Sequence, residues 1–203
     1  SASNSALSVV EALQKSFRSI SADMLPAVVE VDVTETKTYT DPFKSIPFWF
    51  FGDPNDKNSD NGKRQYESKR IGSGVIVRRE GNALYVLTNN HVAGAATKIS
   101  IKLNDGREFE GKLVGADERT DIALVSFEST DKTIPVAPLG DSDAVMPGDI
   151  CLAFGAPLGY SQSVTQGIVS AVGRDGKGIG SISDFIQTDA AINQGNSGGP
   201  LVN

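Results

Sequence analysis

Three short stretches of this sequence carry side chains suited to nucleophilic chemistry. His91, the single histidine, follows the apolar run Tyr85-Val86-Leu87 and the polar Thr88-Asn89-Asn90. Asp121 opens a second apolar run, Ile122-Ala123-Leu124. Ser197 lies within Gly195-Asn196-Ser197-Gly198-Gly199-Pro200. A serine hydroxyl is a weak nucleophile until a neighbouring base takes its proton. The anion that develops during acyl transfer then needs N–H donors aimed at it. Glycines on both sides of Ser197 let the backbone turn sharply enough to aim such donors into one small space. Taken singly, each feature has a plainer explanation: a tight turn for the serine, a structural role for the histidine. Their order, His91, Asp121, Ser197, joins them into a chymotrypsin-type set. There His91 takes the proton from Ser197, while Asp121 fixes the imidazole tautomer and supports the imidazolium. A strand-to-helix nucleophile elbow needs its acid and histidine after the serine, and none of the six residues after Ser197 is Asp or His. The order Asp, His, Ser needs an aspartate before His91; Asp32 and Asp41 are available, but the chain lacks the alternating helices of that fold.

Composition narrows the field further. The chain has 203 residues, 39% hydrophobic and 22% charged, enough for one large domain or two small cores. One cysteine, Cys151, excludes an internal disulfide, and with His91 it is too few for a Cys/His zinc site. No metal or cofactor is expected. The net charge of −6 opposes nucleic-acid binding; pairs such as Lys63-Arg64 and Lys69-Arg70 read as solvated strand edges. No phosphate-binding Gly-x-x-x-x-Gly-Lys-[Ser/Thr] string occurs. No apolar run approaches the ~18–20 residues of a membrane span. Ser1 to Ser8 do not read as a signal peptide, so composition leaves both a cytosolic chain and the mature part of an exported one open.

The elements that must position these residues follow from periodicity. Leu7, Val10, Leu13, Phe17 and Ile20 recur at three- and four-residue steps and predict a helix over 5–21, with Ser8 and Glu11 as a capping box. Its apolar face needs a partner, either this chain's core or a neighbouring subunit. Val29, Val31 and Val33 alternate with polar residues as in a strand. Residues 35–68 lose that alternation and predict a long loop, with an aromatic cluster Phe48-Trp49-Phe50-Phe51 either folded back or available for docking. Short β runs follow at 74–78, 83–88, 98–103, 108–115 and 121–127, and again at 149–154, 163–172, 185–188 and from Leu201. Turn signals such as Asp105-Gly106 separate them. This spacing predicts an all-β sandwich or barrel, with a boundary between two halves near 128–147.

With these motifs in hand, the chain resembles the protease domain of the HtrA (Deg) serine proteases over about residues 25–203. The matching stretches are Thr88 to Val92, Asp105-Gly106-Arg107, Thr120 to Leu124, Gly140 to Asp143, Gly167 to Ser170, Phe185 to Asn193 and Gly195 to Asn203. The resemblance implies an all-β fold of two perpendicular six-stranded β-barrels of the chymotrypsin/trypsin type, with a short N-terminal helix and the site between the barrels. The division would be 1–25 helical segment, 26–140 first barrel with the loop 35–68, and 141–203 second barrel. That second barrel would be about two strands short at its C-terminus.

The implied site is His91, Asp121 and Ser197 as catalytic residues, with an oxyanion hole from the backbone of Gly195 and Ser197, Asn196 between them. Ile192 would line the specificity pocket and favour small aliphatic residues before the scissile bond. Gly173 to Ser183 would be a sensor loop and Asp189 to Gln194 an activation loop; relatives often carry Arg or Pro where Gln194 stands. The implied function is ATP-independent endoproteolysis of unfolded or damaged polypeptides in protein quality control. The implied assembly is a homotrimer or a higher oligomer built from trimers, through the N-terminal segment. The implied location is the bacterial periplasm or envelope, with a signal peptide removed and peripheral membrane association as a further expectation. The rival from another class is a chaperone-like or self-assembling binding module without peptide-bond turnover, suggested by the short second barrel and the Phe48–Phe51 cluster.

Overall fold

The computed structural model describes residues 2–40, 63–156, 162–174, 184–193 and 195–203. Helix α1 runs Ala2–Met24 and passes through a single 3-10 turn, Leu25–Ala27, into strand β1 (Val28–Thr40). Strands β2 (Lys63–Glu80) and β3 (Ala83–Asn89) follow, then the one-turn helix α2 (Asn90–Ala93). Next come β4 (Lys98–Lys102), β5 (Glu108–Asp117) and β6 (Ile122–Glu128). These six strands close into a barrel in the order β1-β2-β3-β6-β5-β4. Alternation explains the closure: Val29, Val31 and Val33 point inward from β1 and meet Ile76, Val86 and Val125 in one buried cluster. Register shifts at Ile76/Arg78 and Leu113/Gly115 mark bulges, and bulges bend and twist strands as a closed barrel requires.

The second half is a four-stranded sheet in the order β10-β7-β8-β9. It is built from β7 (Ile150–Gly155), β8 (Ser163–Arg174), β9 (Phe185–Thr188) and β10 (Leu201–Val202). The fold is therefore mostly β, with one closed six-stranded barrel, a second sheet that does not close and one long N-terminal helix. The short second half expected from the sequence is borne out among the described residues.

Two expectations change. The helix begins at Ala2, so Ser8 and Glu11 lie inside it and form no capping box. The stretch 35–68 is strand at both ends, because β1 and β2 stay paired out to Thr40↔Lys63. The paired residues Glu35 to Thr40 and Lys63 to Ser68 are polar apart from Tyr39 and Tyr66, so no apolar alternation reveals the pairing. Residues 41–62, with Phe48–Phe51, lie outside the described residues, as do 175–183 of the expected sensor loop.

The question of what covers α1 has a divided answer. Phe17, Ile20 and Met24 pack with Leu152, Phe154 and Val28, which ties the helix to the second sheet and to β1. Leu7, Val10 and Leu13, about one to three turns earlier on the same stripe, are exposed. Gln162 strengthens the seam: its Nε2 donates to the carbonyls of Leu25 (2.8 Å) and Val28 (2.7 Å).

Candidate active site

The pairing of β3 with β6 sets the first half of the site. Leu87 faces Leu124 and Asn89 faces Ile122, so Asp121, just before β6, lies beside α2, just after β3. Asp121 then does two jobs. Its backbone carbonyl accepts from Asn90 N (3.1 Å) and from Asn89 Nδ2 (2.9 Å). Its carboxylate accepts from His91 N through Oδ1 (2.8 Å) and meets His91 Nδ1 through Oδ2 (2.7 Å). The first N–H groups of a helix have no intrahelical acceptor, and Asn89 offers no side-chain cap to α2. Asp121 supplies that cap from a neighbouring strand. It adopts φ 55°, the one described non-glycine residue at positive φ; Asp tolerates this left-handed region better than most residues.

This geometry has a direct chemical consequence. A carboxylate only accepts, so the ring proton of neutral His91 belongs on Nδ1 and the Nε2 lone pair is left to act as a base. Ring and carboxylate are both partly open to solvent, at 56% and 39% side-chain exposure, so a substrate can reach them. Arg70 Nη1 donates to the His91 carbonyl at 2.9 Å and holds α2 from the β2 side.

Ser197 comes from the other half. Strand β10 pairs with β7 through Leu201↔Ala153, and Phe154 N donates to Pro200 O at 3.0 Å. The turn before it therefore lies across the end of β7. Glycines make this close approach feasible: a Cβ on Gly199 would strike Phe154 O, and one on Gly155 would strike Asn196. Within the turn, Asn196 N donates to Asn193 O (3.1 Å) and Gly199 N to Asn196 O (2.8 Å). Gly195 has φ 109°, the sign required at the third position of a type II turn. A trans peptide points its C=O and N–H in opposite directions. With Asn196 O turned to Gly199, the Ser197 N–H of the same peptide faces the other way, as an oxyanion donor must.

The two halves meet at Gly72-Ser73-Gly74 on β2. Ser73 N donates to Ser197 O at 2.8 Å. A Cβ on Gly72 would lie 2.8 Å from Val92 and 3.3 Å from Ser197 O, which places the Ser197 backbone beside the residue after His91. The structure thus puts His91 against Asp121, and Ser197, Asn196 and Gly195 in one turn on the adjoining strand. Ile192 is 60% exposed in the segment leading to that turn. Ala191, beside it, is held by Thr165 Oγ1 (2.9 Å) and Asn196 Nδ2 (3.2 Å), both donating to its carbonyl. Cys151 is buried with Sγ 3.1 Å from Thr188 Oγ1. Among the described residues no group of His, Cys, Asp and Glu could hold a metal ion.

The bonds of Asn89 to Asp121 and of Arg70 to His91 were not read from the sequence, which placed Arg70 on a solvated strand edge, nor were the contacts of Ser73, whose one signal is its place between two glycines.

Comparison with known proteins gives a consistent result. A family model described as a trypsin-like peptidase domain matches residues 72–203. The periplasmic pH-dependent serine endoprotease DegQ of Escherichia coli K12 is 46% identical over 180 residues, 89% of this chain and 38% of that protein. The periplasmic serine endoprotease DegP of Salmonella typhimurium is 47% identical over 162 residues, 80% of this chain and 33% of that protein. This chain thus spans well under half the length of these curated relatives. Among solved structures, the HtrA-type protease AlgW with a decapeptide superposes with a TM-score of 0.66 at 44% identity, covering 90% of this chain and 54% of that one. The chain belongs to the trypsin-like peptidase domain family, and its relatives there are HtrA-type periplasmic serine proteases.

Proposed function

We propose that this chain is the proteolytic part of an ATP-independent serine endopeptidase acting on unfolded or damaged polypeptides. One observation carries the reading: the His91–Asp121 contact of 2.7 Å, made by a pair whose backbone also holds α2 in place. Nε2 of His91 takes the Ser197 proton as Oγ attacks the scissile carbonyl. Asp121 holds the ring and stabilises the imidazolium, which then protonates the leaving amine. The N–H groups of Gly195 and Ser197, with Asn196 between them, bind the oxyanion. Water, activated by the same imidazole, releases the acyl group from Ser197. Ile192 offers an apolar surface to the side chain before the scissile bond.

The domain division proposed with this function is 1–25, 26–140 and 141–203. The periplasm is proposed as the site of action because the relatives carry that word in their names. Assembly as a homotrimer or a multiple of it is proposed from the family resemblance, and the exposed Leu7, Val10 and Leu13 of α1 are compatible with it.

The test is labelling of Ser197 by a fluorophosphonate together with casein cleavage by the full-length protein. Ser197→Ala and His91→Ala should each lower cleavage by at least ~10³-fold. Because the described chain has a single histidine, His91→Ala removes all imidazole catalysis it can offer. Unchanged proteolysis in Ser197→Ala would refute the assignment.

A further inference from the structure

Ser73 is completely buried, at 0% exposure, in a strand of the first barrel. All its polar atoms are engaged, and three of the four bonds run to the second half or to the nucleophile turn. Its N–H donates to Ser197 O (2.8 Å). Its hydroxyl donates to Gly195 O and accepts from Ala156 N (2.7 Å), just past the end of β7. Its carbonyl accepts from Thr88 Oγ1 (2.7 Å), three residues before His91. A Cβ on Gly198 would strike both Ser73 O and Thr88 Oγ1, so the far side of the turn is seated against the same residue.

We propose that Ser73 is a positioning residue that sets the oxyanion donors, an inference that rests on the proposed role of Ser197. The Gly195–Asn196 peptide is clamped at both ends, its C=O by the Ser73 hydroxyl and its N–H by Asn193 O. The Ser197 carbonyl is clamped by Ser73 N. These anchors fix the planes on either side of the two N–H groups that must face the oxyanion. One hydroxyl on β2 thereby locks the geometry of a turn that belongs to the other sheet. No other described side chain bonds both to that turn and to the end of β7 from the first barrel. Replacing the hydroxyl leaves Gly195 O and Ala156 N buried without their partner, and an unpaired buried group shifts to find water or another partner. The turn then loses its alignment while the substrate-binding surface around Ile192 stays in place.

The experiment compares parent, Ser73→Cys, Ser73→Ala and Ser197→Ala in the full-length protein, using a chromogenic peptide and a peptidyl boronic acid that forms a tetrahedral adduct. Donors that act only in the transition state affect kcat rather than KM. Ser73→Ala should lower kcat ~10- to 100-fold with KM within about twofold, and weaken boronate binding by the same factor as kcat. Ser73→Cys, similar in size but a weaker donor and acceptor, should fall between. If Ser73→Ala does not fold, the Cys variant carries the same comparison. A lower melting temperature with kcat and boronate affinity within twofold of parent overturns the proposal and makes Ser73 a structural residue only. So does a loss confined to KM. Persistent hydrolysis by Ser197→Ala refutes the nucleophile and the role of Ser73 with it. Lost hydrolysis in Ser197→Ala beside normal kcat in both Ser73 variants refutes Ser73 alone.

Discussion

In the first barrel every strand has two neighbours, whereas the second sheet ends on β10 and β9. The barrel encloses one continuous core, running from Val29 and Ile76 to Phe127 and Ile134. The sheet splits its apolar side chains between two small clusters, one under α1 around Leu152 and Phe154 and one around Cys151, Ala153 and Val169. Ile150, Val164 and Ile168 remain partly exposed on the sheet. The site draws on both. The closed half supplies the histidine and its acid, whose geometry is set by strand register. The open half supplies the turn that carries Ser197, the proposed nucleophile, and its geometry depends on bonds reaching back to the barrel. A pairing inside a closed sheet can move only if its neighbours move, while a turn at a sheet edge needs a clamp from outside. Ser73 is that clamp.

The sharpest way to break this contrast is at Asp121. Asp121→Asn keeps an oxygen to accept from His91 N but no longer dictates the ring tautomer, so kcat should fall by ~10⁴ with the melting temperature nearly unchanged. Activity within tenfold of parent would mean that Asp121 does not orient the His91 ring. A second comparison concerns folding. Phe127 is 2% exposed in the barrel core and stacks at a tilt on Phe109, ring centroids 5.0 Å apart. Phe127→Ala should cost ~3–5 kcal/mol in urea unfolding. Ile168 is 41% exposed, and Ile168→Thr should stay within ~0.5 kcal/mol. Equal losses at the two sites would show that the sheet face is covered in the protein as tested, and would erase the contrast.

The smallest effect concerns the outer wall of β1. Burial, then the charges of Glu30 and Glu108, push the Asp32 carboxyl above its ordinary value, against the pull of Lys102. The folded state then holds this proton more tightly than the unfolded state. Stability from this group is therefore greatest below the ordinary carboxylate value and falls as pH rises through the folded one. Asp32→Asn should remove that loss and raise the melting temperature at neutral pH. The gain should correspond to less than about 1 kcal/mol, since the group is partly solvent-screened. Equal melting curves for variant and parent from acid to neutral pH would contradict it.

Much of this was legible beforehand because it is written locally. Alternation marked Val29, Val31 and Val33 as one inward face; Asp105-Gly106 marked the turn between β4 and β5. The order His91, Asp121, Ser197 narrowed the chemistry before any coordinate was known. The partners of α1 were not legible, because an amphipathic stripe states that it needs cover and not what provides it. Nor was the pairing of β1 with β2 out to Thr40 and Lys63, where the residues are nearly all polar and leave no apolar period.

What the sequence indicated alone is most of the strand positions, a candidate set of reactive residues and the glycines that permit a sharp turn at Ser197. Each is a property of residue type and near neighbours. Only the tertiary structure decided that Asp121 caps the helix carrying His91, that α1 packs on Leu152 and Phe154, and that Ser73 reaches from β2 to Gly195. Those depend on register and packing between segments tens of residues apart, where many pairings satisfy the same local pattern and only the folded chain selects one.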